Sequence, residues 1–134
     1  MIKTLISSSI LALLLTGCIN SEPPKCSDDN VKETLKEIYA ELFVNAQNNF
    51  LSAFVQTLPK NIESISSIRP VAYDESVKLR SCKANVTFEN NQSAAIEYTV
   101  QQDEENSEEY YVEMNTEFLE GLMQQSIMQN ILNK

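Results

Sequence analysis

Apolar side chains recur at helical spacing early in the chain, after a short polar stretch. They stand four, seven and eight positions apart, as expected for the buried face of a helix. These residues are Val31, Leu35, Ile38, Tyr39, Leu42 and Phe43. Ser27 is expected to cap the helix, with Asp28 and Asp29 in its first turn. Pro59 ends it at the latest, and whether residues 45–49 divide it in two stays open.

Four segments of alternating apolar and polar residues follow, and each predicts a β-strand. The segments are residues 62–73, 77–89, 94–101 and 110–114. The residues expected on one face are Cys82, Ala84, Val86, Phe88, Ile96, Tyr98, Val100, Tyr110, Val112 and Met114. Pro70 marks the first strand as an edge strand or as a strand with a bulge. Turn sequences at 74–76 and at Asn90-Asn91 give short connections, which favour an antiparallel meander.

A last helix is predicted from Glu117, with Thr116 as its cap. Its apolar face would consist of Phe118, Leu119, Leu122, Met123, Ile127, Ile131 and Leu132. The predicted fold class is therefore α+β: an N-terminal helix packed on a four-stranded antiparallel meander, plus a C-terminal helix. This order and size are similar to the cystatin-like and NTF2-like α+β architectures.

Composition excludes several classes of activity. The 134-residue chain has no histidine, which rules out Ser-His-Asp and Cys-His catalysis and histidine-bound zinc. Its two glycines, Gly17 and Gly121, cannot form a glycine-rich phosphate-binding loop. A net charge of −9 argues against nucleic-acid binding, which needs clustered lysine and arginine. We expect no cofactor and no enzymatic activity, since no paired-carboxylate motif stands out.

Residues 1–18 have the pattern of a bacterial export signal. Lys3 supplies a positive charge, and the apolar stretch 5–15, with a short serine interruption, is shorter than the roughly 20 residues that a membrane-spanning helix needs. The segment ends in Leu15-Thr16-Gly17-Cys18, which resembles the lipobox of bacterial lipoproteins: a leucine, two small residues and a cysteine. The alternative is an ordinary signal peptide that ends near a cysteine.

The resemblance to bacterial lipoproteins implies that Cys18 carries a diacylglycerol thioether and becomes the N-terminus once residues 1–17 are removed. Two or more acyl chains make such an anchor stable. Ile19 is not the aspartate that retains lipoproteins in the inner membrane, so the implied location is the outer membrane, facing the periplasm. Residues 18–25 would be the lipidated cysteine and a linker reaching about 20 Å, and residues 26–134 a single domain.

Cys26 and Cys82 remain once Cys18 is assigned to lipid. An even pair in an oxidising compartment predicts a disulfide, which would clamp the front of the first helix onto a strand. It would close a loop of 57 residues and contribute about 4 kcal/mol in the chain-entropy model. The alternative, a reactive thiol, has no histidine or CxxC motif beside it.

Charge is distributed unevenly along the chain. Residues 18–83 contain 8 basic and 9 acidic side chains, whereas residues 84–133 contain 10 acidic and no basic ones. The acids crowd one connection, with Asp103, Glu104, Glu105, Glu108 and Glu109. The basic set on the first two strands consists of Arg69, Lys78, Arg80 and Lys83. The acids could keep the protein soluble, dock a basic protein with Tyr111 as anchor, or bind calcium without the usual D-x-D-x-D-G loop.

These observations predict a lipid-anchored envelope protein that acts as a non-catalytic interaction module. Its partners would be the membrane, through the N-terminal lipid, and another envelope protein. One version is an inhibitor or immunity protein for a basic toxin or wall hydrolase. The alternatives are an assembly accessory of the outer membrane or a secretion apparatus, acting through the C-terminal helix, and a small-ligand-binding periplasmic domain.

Overall fold

The computed structural model describes residues 22–46 and 52–133. Within them, two helices precede an antiparallel sheet and a third helix follows it. The elements are α1 (Asp29–Ala46), α2 (Ser52–Val55), β1 (Ile62–Asp74), β2 (Leu79–Phe88), β3 (Ser93–Gln102), β4 (Tyr110–Met114) and α3 (Phe118–Leu132). The strands lie in the order β1-β2-β3-β4, each antiparallel to the next. The predicted α+β meander is confirmed.

Helix α1 buries the face that its periodicity predicts. Val31, Leu35 and Tyr39 are fully buried against the sheet. Its cap differs from the prediction by one residue, because Asp28, not Ser27, accepts the amide hydrogen of Asn30 at 2.9 Å. Either residue type can cap a helix, and the local backbone decides which one does.

The question of a break near residues 45–49 is answered only in part. Helix α1 ends at Ala46 and the short helix α2 begins at Ser52, while residues 47–51 lie outside the described residues. After α2, Leu58 and Pro59 are buried. The hydroxyl of Tyr39 donates to the carbonyl of Pro59, which ties this segment to α1.

Strand β1 forms one edge of the sheet and is irregular, as Pro70 predicts. Its pairing with β2 shifts register at three places, between Ile62 and Ser64, between Ser66 and Arg69, and after Pro70. Ser67 has a φ of 52°, in the left-handed region. Bulges and proline interrupt the free hydrogen-bonding edge of a strand and so oppose its pairing with another chain.

The predicted turns form as expected. Asn91 follows β2 with a φ of 70°, so the tight connection to β3 is made without glycine. At the opposite end of the sheet, the connections 75–78 and 103–109 lie side by side, because the Gln102 amide donates to the Lys78 carbonyl at 3.1 Å. We call this the acidic end, and the end at 89–92 the distal end.

Helices cover one face of the sheet, and none of the described helices packs on the other, which we call the open face. The cluster of buried residues joins Leu35 and Tyr39 of α1 and Leu122 of α3 to the predicted inward-facing residues of β2 and β3. The rings of Tyr39 and Phe88 lie 5.1 Å apart between α1 and β2. On the open face, Lys83 pairs with Glu97 at 3.5 Å.

The predicted disulfide is present. Cys26 and Cys82 are bonded, with their Cα atoms 5.8 Å apart, and both residues are buried. The Tyr98 hydroxyl donates to the Cys26 carbonyl at 2.8 Å. The chain just before α1 is therefore held on the two central strands.

Helix α3 differs from its prediction in its N-terminal cap and in the distribution of its apolar residues. Thr116 is not its cap: Glu117 occupies the cap position without a side-chain hydrogen bond, and Asn115 accepts the Glu117 amide hydrogen instead. The predicted apolar residues also do not share one face. Leu122 is 1% exposed, whereas Ile131 is 62% exposed.

The exposed apolar residues in the second half of α3 form a group that we call the α3 stripe. It consists of Ile127, Met128, Ile131 and Leu132. At 100° per residue, this stripe lies on the side of the helix opposite Leu122 and Ser126, which face the protein. Apolar residues thus occupy both sides of the helix, and only the first half is anchored in the core.

Candidate functional site

The candidate site is the connection 103–109, where the structure brings the predicted acidic residues together. Asp103 organises it, because one carboxylate oxygen accepts the amide hydrogens of Glu105 and Asn106, both at 2.9 Å. The Asn106 side chain accepts the Glu108 amide hydrogen at 3.0 Å. The Asp103 amide donates to the Glu109 carbonyl at 2.9 Å, which closes the connection. The loop is therefore held by its own side chains.

Asp103 is paired with Tyr111 across the end of the sheet. The Tyr111 hydroxyl donates to the second carboxylate oxygen of Asp103. This hydrogen bond, together with those from the Asn106 and Glu105 amides, lowers the pKa of Asp103, so its carboxylate is ionised at neutral pH. The same bond, with the nearby negative charge, raises the pKa of Tyr111. Asp103 thus has a structural role as well as a charge.

The other four predicted acids, Glu104, Glu105, Glu108 and Glu109, are exposed to solvent. Tyr111, predicted as an interface anchor, keeps 55% of its surface exposed, while Tyr110 is half-buried on the covered side. Neighbouring strand residues point to opposite faces, so one ring of the pair is available to a partner. The site presents negative charge around an accessible aromatic ring.

A shallow cleft of about 540 Å³ lies between the two connections of the acidic end. Ser76 and Val77 line one side, and Gln101 and Tyr111 line the other. The Gln101 side chain donates to the Val77 carbonyl at 3.2 Å and so fixes the distance between the walls. The cleft is large enough to receive a side chain of a partner.

The predicted basic set does not form one patch. Arg80 lies on the covered side, where it binds the carbonyls of Pro23 and Pro24. Lys83 lies on the open face, and Arg69 donates to the Ser67 carbonyl on the edge strand. Arg80 and Lys83 are three residues apart on one strand, so alternation already places them on opposite faces.

The remaining site predictions concern lipid, metal and membrane. Cys18, predicted to be lipidated, lies outside the described residues. Over residues 22–46 and 52–133, no group of three or more acidic or cysteine side chains is placed to hold a metal ion. In the same ranges, no helix has the length and apolarity needed to cross a bilayer.

Sequence reasoning missed one feature and resolved another only in part. It offered the C-terminal helix as a contact but put Ile127, Ile131 and Leu132 on the same face as Leu122, although their positions around the helix separate them from it. The packing of residues 22–24 against Arg80 has no local sequence signal, since it joins segments more than 50 residues apart. Comparison of the chain with protein-family models, with curated proteins and with solved structures finds no match.

Proposed function

We propose that this protein is a lipid-anchored envelope protein that binds a basic protein partner through its acidic end and has no catalytic role. The partner would be a toxin or a cell-wall hydrolase, which the protein would inhibit. Charge of one sign on a fixed surface speeds the encounter with an oppositely charged protein and orients it. Binding, not chemistry, would then be the function of the domain.

The proposed anchor is the lipid on Cys18, supported by Lys3, by the apolar stretch 5–15 and by the Leu15–Cys18 motif. The proposed location is the outer membrane, on its periplasmic side. A disulfide between Cys26 and Cys82 is compatible with such an oxidising compartment.

The observation that carries the proposal is the construction of the acidic end. Four exposed glutamates project from a connection that Asp103 holds in one conformation, beside the exposed ring of Tyr111. A pre-organised loop loses less conformational entropy on binding than a flexible one. Solubility alone requires the charge but not the fixed geometry.

The test is a pull-down from envelope extract with the mature chain as bait. The variant replaces Glu104, Glu105, Glu108 and Glu109 by glutamine and leaves Asp103 intact. We expect partner recovery to fall at least about tenfold, because rim charges govern electrostatic association. Recovery by the wild type should also fall between about 0.1 M and 1 M salt, as the screening length drops from about 10 to 3 Å.

The matched control removes four acids from elsewhere on the surface. Glu37, Glu41, Glu63 and Glu120 are exposed, and their replacement by glutamine changes the net charge by the same amount. An equal loss of recovery by the two variants would show that total charge, and not the acidic end, governs binding. Full recovery by both would refute the acidic docking surface.

A second candidate function is that of an assembly accessory in the outer membrane or a secretion apparatus. The α3 stripe favours it, because four exposed apolar side chains on one helix face are typical of helix-in-groove contacts. Replacing Ile127 and Ile131 by serine should abolish partner recovery in this case. The same replacement should leave recovery unchanged if the acidic end is the docking surface.

A further inference from the structure

The chain segment before α1 is fastened to the domain by Arg80. The guanidinium group donates from Nε to the Pro24 carbonyl at 3.2 Å and from Nη2 to the Pro23 carbonyl at 3.3 Å. It also lies 3.9 Å from the Glu22 carboxylate and 5.0 Å above the centre of the Tyr73 ring. We call this set of contacts the Arg80 clamp.

The Arg80 clamp is partly shielded from water, which strengthens it. The Arg80 side chain is 16% exposed, and Pro23 is buried. Hydrogen bonds from a charged donor are stronger than those between neutral groups, and a cation over an aromatic ring adds to them when both are desolvated. The segment 22–24 is therefore part of the folded body and not a free linker.

The clamp lies next to the acidic end. Arg80 is the second residue of β2, two positions after the end of the connection 75–78. The Lys78 carbonyl accepts the Gln102 amide hydrogen, and the acidic connection 103–109 begins at the next residue. The second half of α3 lies at the distal end, where the Gln92 side chain donates to Gln125 at 3.5 Å. The chain thus enters the domain at the end opposite the α3 stripe.

We infer that the acidic end is the surface of this domain that faces a lipid bilayer, and that the α3 stripe points away from it. The inference rests on the proposed lipidation of Cys18. Four residue steps separate Cys18 from Glu22, and an extended chain covers at most about 3.6 Å per step. The clamped segment therefore lies within about 14 Å of the lipidated residue.

The tether holds the acidic end close to the bilayer, and its negative charge opposes insertion into the headgroups. The exposed glutamates of the acidic end are repelled by anionic headgroups, over a screening length of about 8 Å at physiological ionic strength. The tether sets the largest distance between the acidic end and the bilayer, and the repulsion sets the smallest.

The test measures the distance of each end from the membrane. Full-length lipidated protein is reconstituted in vesicles of phosphatidylethanolamine and phosphatidylglycerol that carry a headgroup-linked acceptor dye. A donor dye is attached at Ser107 or at Asn130 through an encoded azide side chain, so that the cysteines stay untouched. The ten-residue strands separate the two ends by about 30 Å, so we expect energy transfer on the order of twofold higher from Ser107.

Three variants test whether the Arg80 clamp, and not another feature, causes the difference in energy transfer between the two positions. Arg80→Gln should lower the transfer ratio, because the first fixed point of the chain then becomes Cys26, which is bonded to Cys82. Lys83→Gln, which breaks an ion pair on the open face, should leave the ratio unchanged. Ten glycine and serine residues inserted between Asn20 and Ser21 lengthen the tether without touching the folded body. This insertion should reduce transfer at Ser107 even if Arg80→Gln proves too unstable to measure.

The outcomes distinguish the inference from the proposed function. If wild-type protein floats with the vesicles and Cys18→Ala does not, lipidation holds. Equal transfer from the two positions, or higher transfer from Asn130, would then overturn the orientation alone. If the wild type does not float, the lipid anchor and the orientation fall together.

Discussion

At the scale of the residue, Tyr98 shows how one buried hydroxyl links the N-terminal segment to the sheet. Its side chain is 2% exposed, and its hydroxyl donates to the Cys26 carbonyl. Burial raises the pKa of Tyr98 to about 12. The neutral hydroxyl is thus the form that the folded protein stabilises, since an ionised one would be desolvated.

The raised pKa of Tyr98 predicts a loss of stability in alkaline solution. Unfolded tyrosine ionises near pH 10, while folded Tyr98 stays neutral up to about pH 12. The unfolded state binds fewer protons between these values, so the contribution of Tyr98 to the free energy of unfolding should be constant below about pH 10 and fall by roughly 2 kcal/mol above it. Urea unfolding at several pH values, followed by circular dichroism, measures this.

Tyr98→Phe is the control for the alkaline effect. The variant removes the titrating hydroxyl, so its stability should fall less steeply above about pH 10 than that of the wild type. Burial also raises the pKa of Tyr39, so part of the loss should remain. Identical slopes for the two proteins would contradict the assignment to Tyr98.

Asn91 gives a second prediction at this scale. Its φ of 70° lies in the left-handed region, which glycine adopts freely and β-branched residues avoid. Asn91→Gly should change the free energy of unfolding by less than about 0.5 kcal/mol, whereas Asn91→Val should lower it by about 1–2 kcal/mol. Thermal unfolding of the two variants tests this, and equal losses would argue against strain at the turn.

At the scale of the element, α3 divides into a half that stabilises the fold and a half that does not. Leu122→Ala should lower the free energy of unfolding by about 2–5 kcal/mol, because Leu122 is buried in the core. Ile131→Ala should change it by less than about 0.5 kcal/mol, because that side chain is 62% exposed. A large loss for Ile131→Ala in urea unfolding would mean that the stripe is buried in solution.

The disulfide supports a further prediction about elements, since it joins the start of α1 to β2. Replacing Cys26 and Cys82 together by alanine should lower the free energy of unfolding by about 2–5 kcal/mol, because the unfolded chain regains the freedom of a long loop. Urea unfolding of this variant and of reduced wild type measures the loss. An unchanged urea midpoint would contradict a stabilising role.

The sequence predicted most elements because a helix or strand that is buried on one face has apolar residues at a regular spacing. Val31, Leu35 and Tyr39 repeat at helical spacing, and Cys82 to Phe88 alternate, so both patterns follow from local geometry alone. The assignment of Ile131 failed for a different reason. Helical spacing predicts that a segment is a helix, but only tertiary contacts decide which side finds a partner.

At the scale of the whole molecule, the acidic residues of the candidate site were predictable from the sequence, but the hydrogen bonds that hold them in place were not. The absence of basic residues from 84–133 locates the acidic surface directly from the sequence. That Asp103 accepts two backbone amide hydrogens and a tyrosine hydroxyl depends on the backbone path of the connection. The Arg80 clamp escaped prediction because its partners are distant along the chain.

The bond between Cys26 and Cys82 also determines how the molecule would bear mechanical load. A pull on the residues before Cys26 is transmitted through the sulfur atoms into β2, an interior strand, and bypasses α1, α2 and β1. Tension between the N-terminal segment and a protein held at the connection 103–109 would therefore load the hydrogen bonds between β2 and β3 in shear. Helix α1, which begins just after Cys26, would carry little of this load, and the sheet would bear most of it.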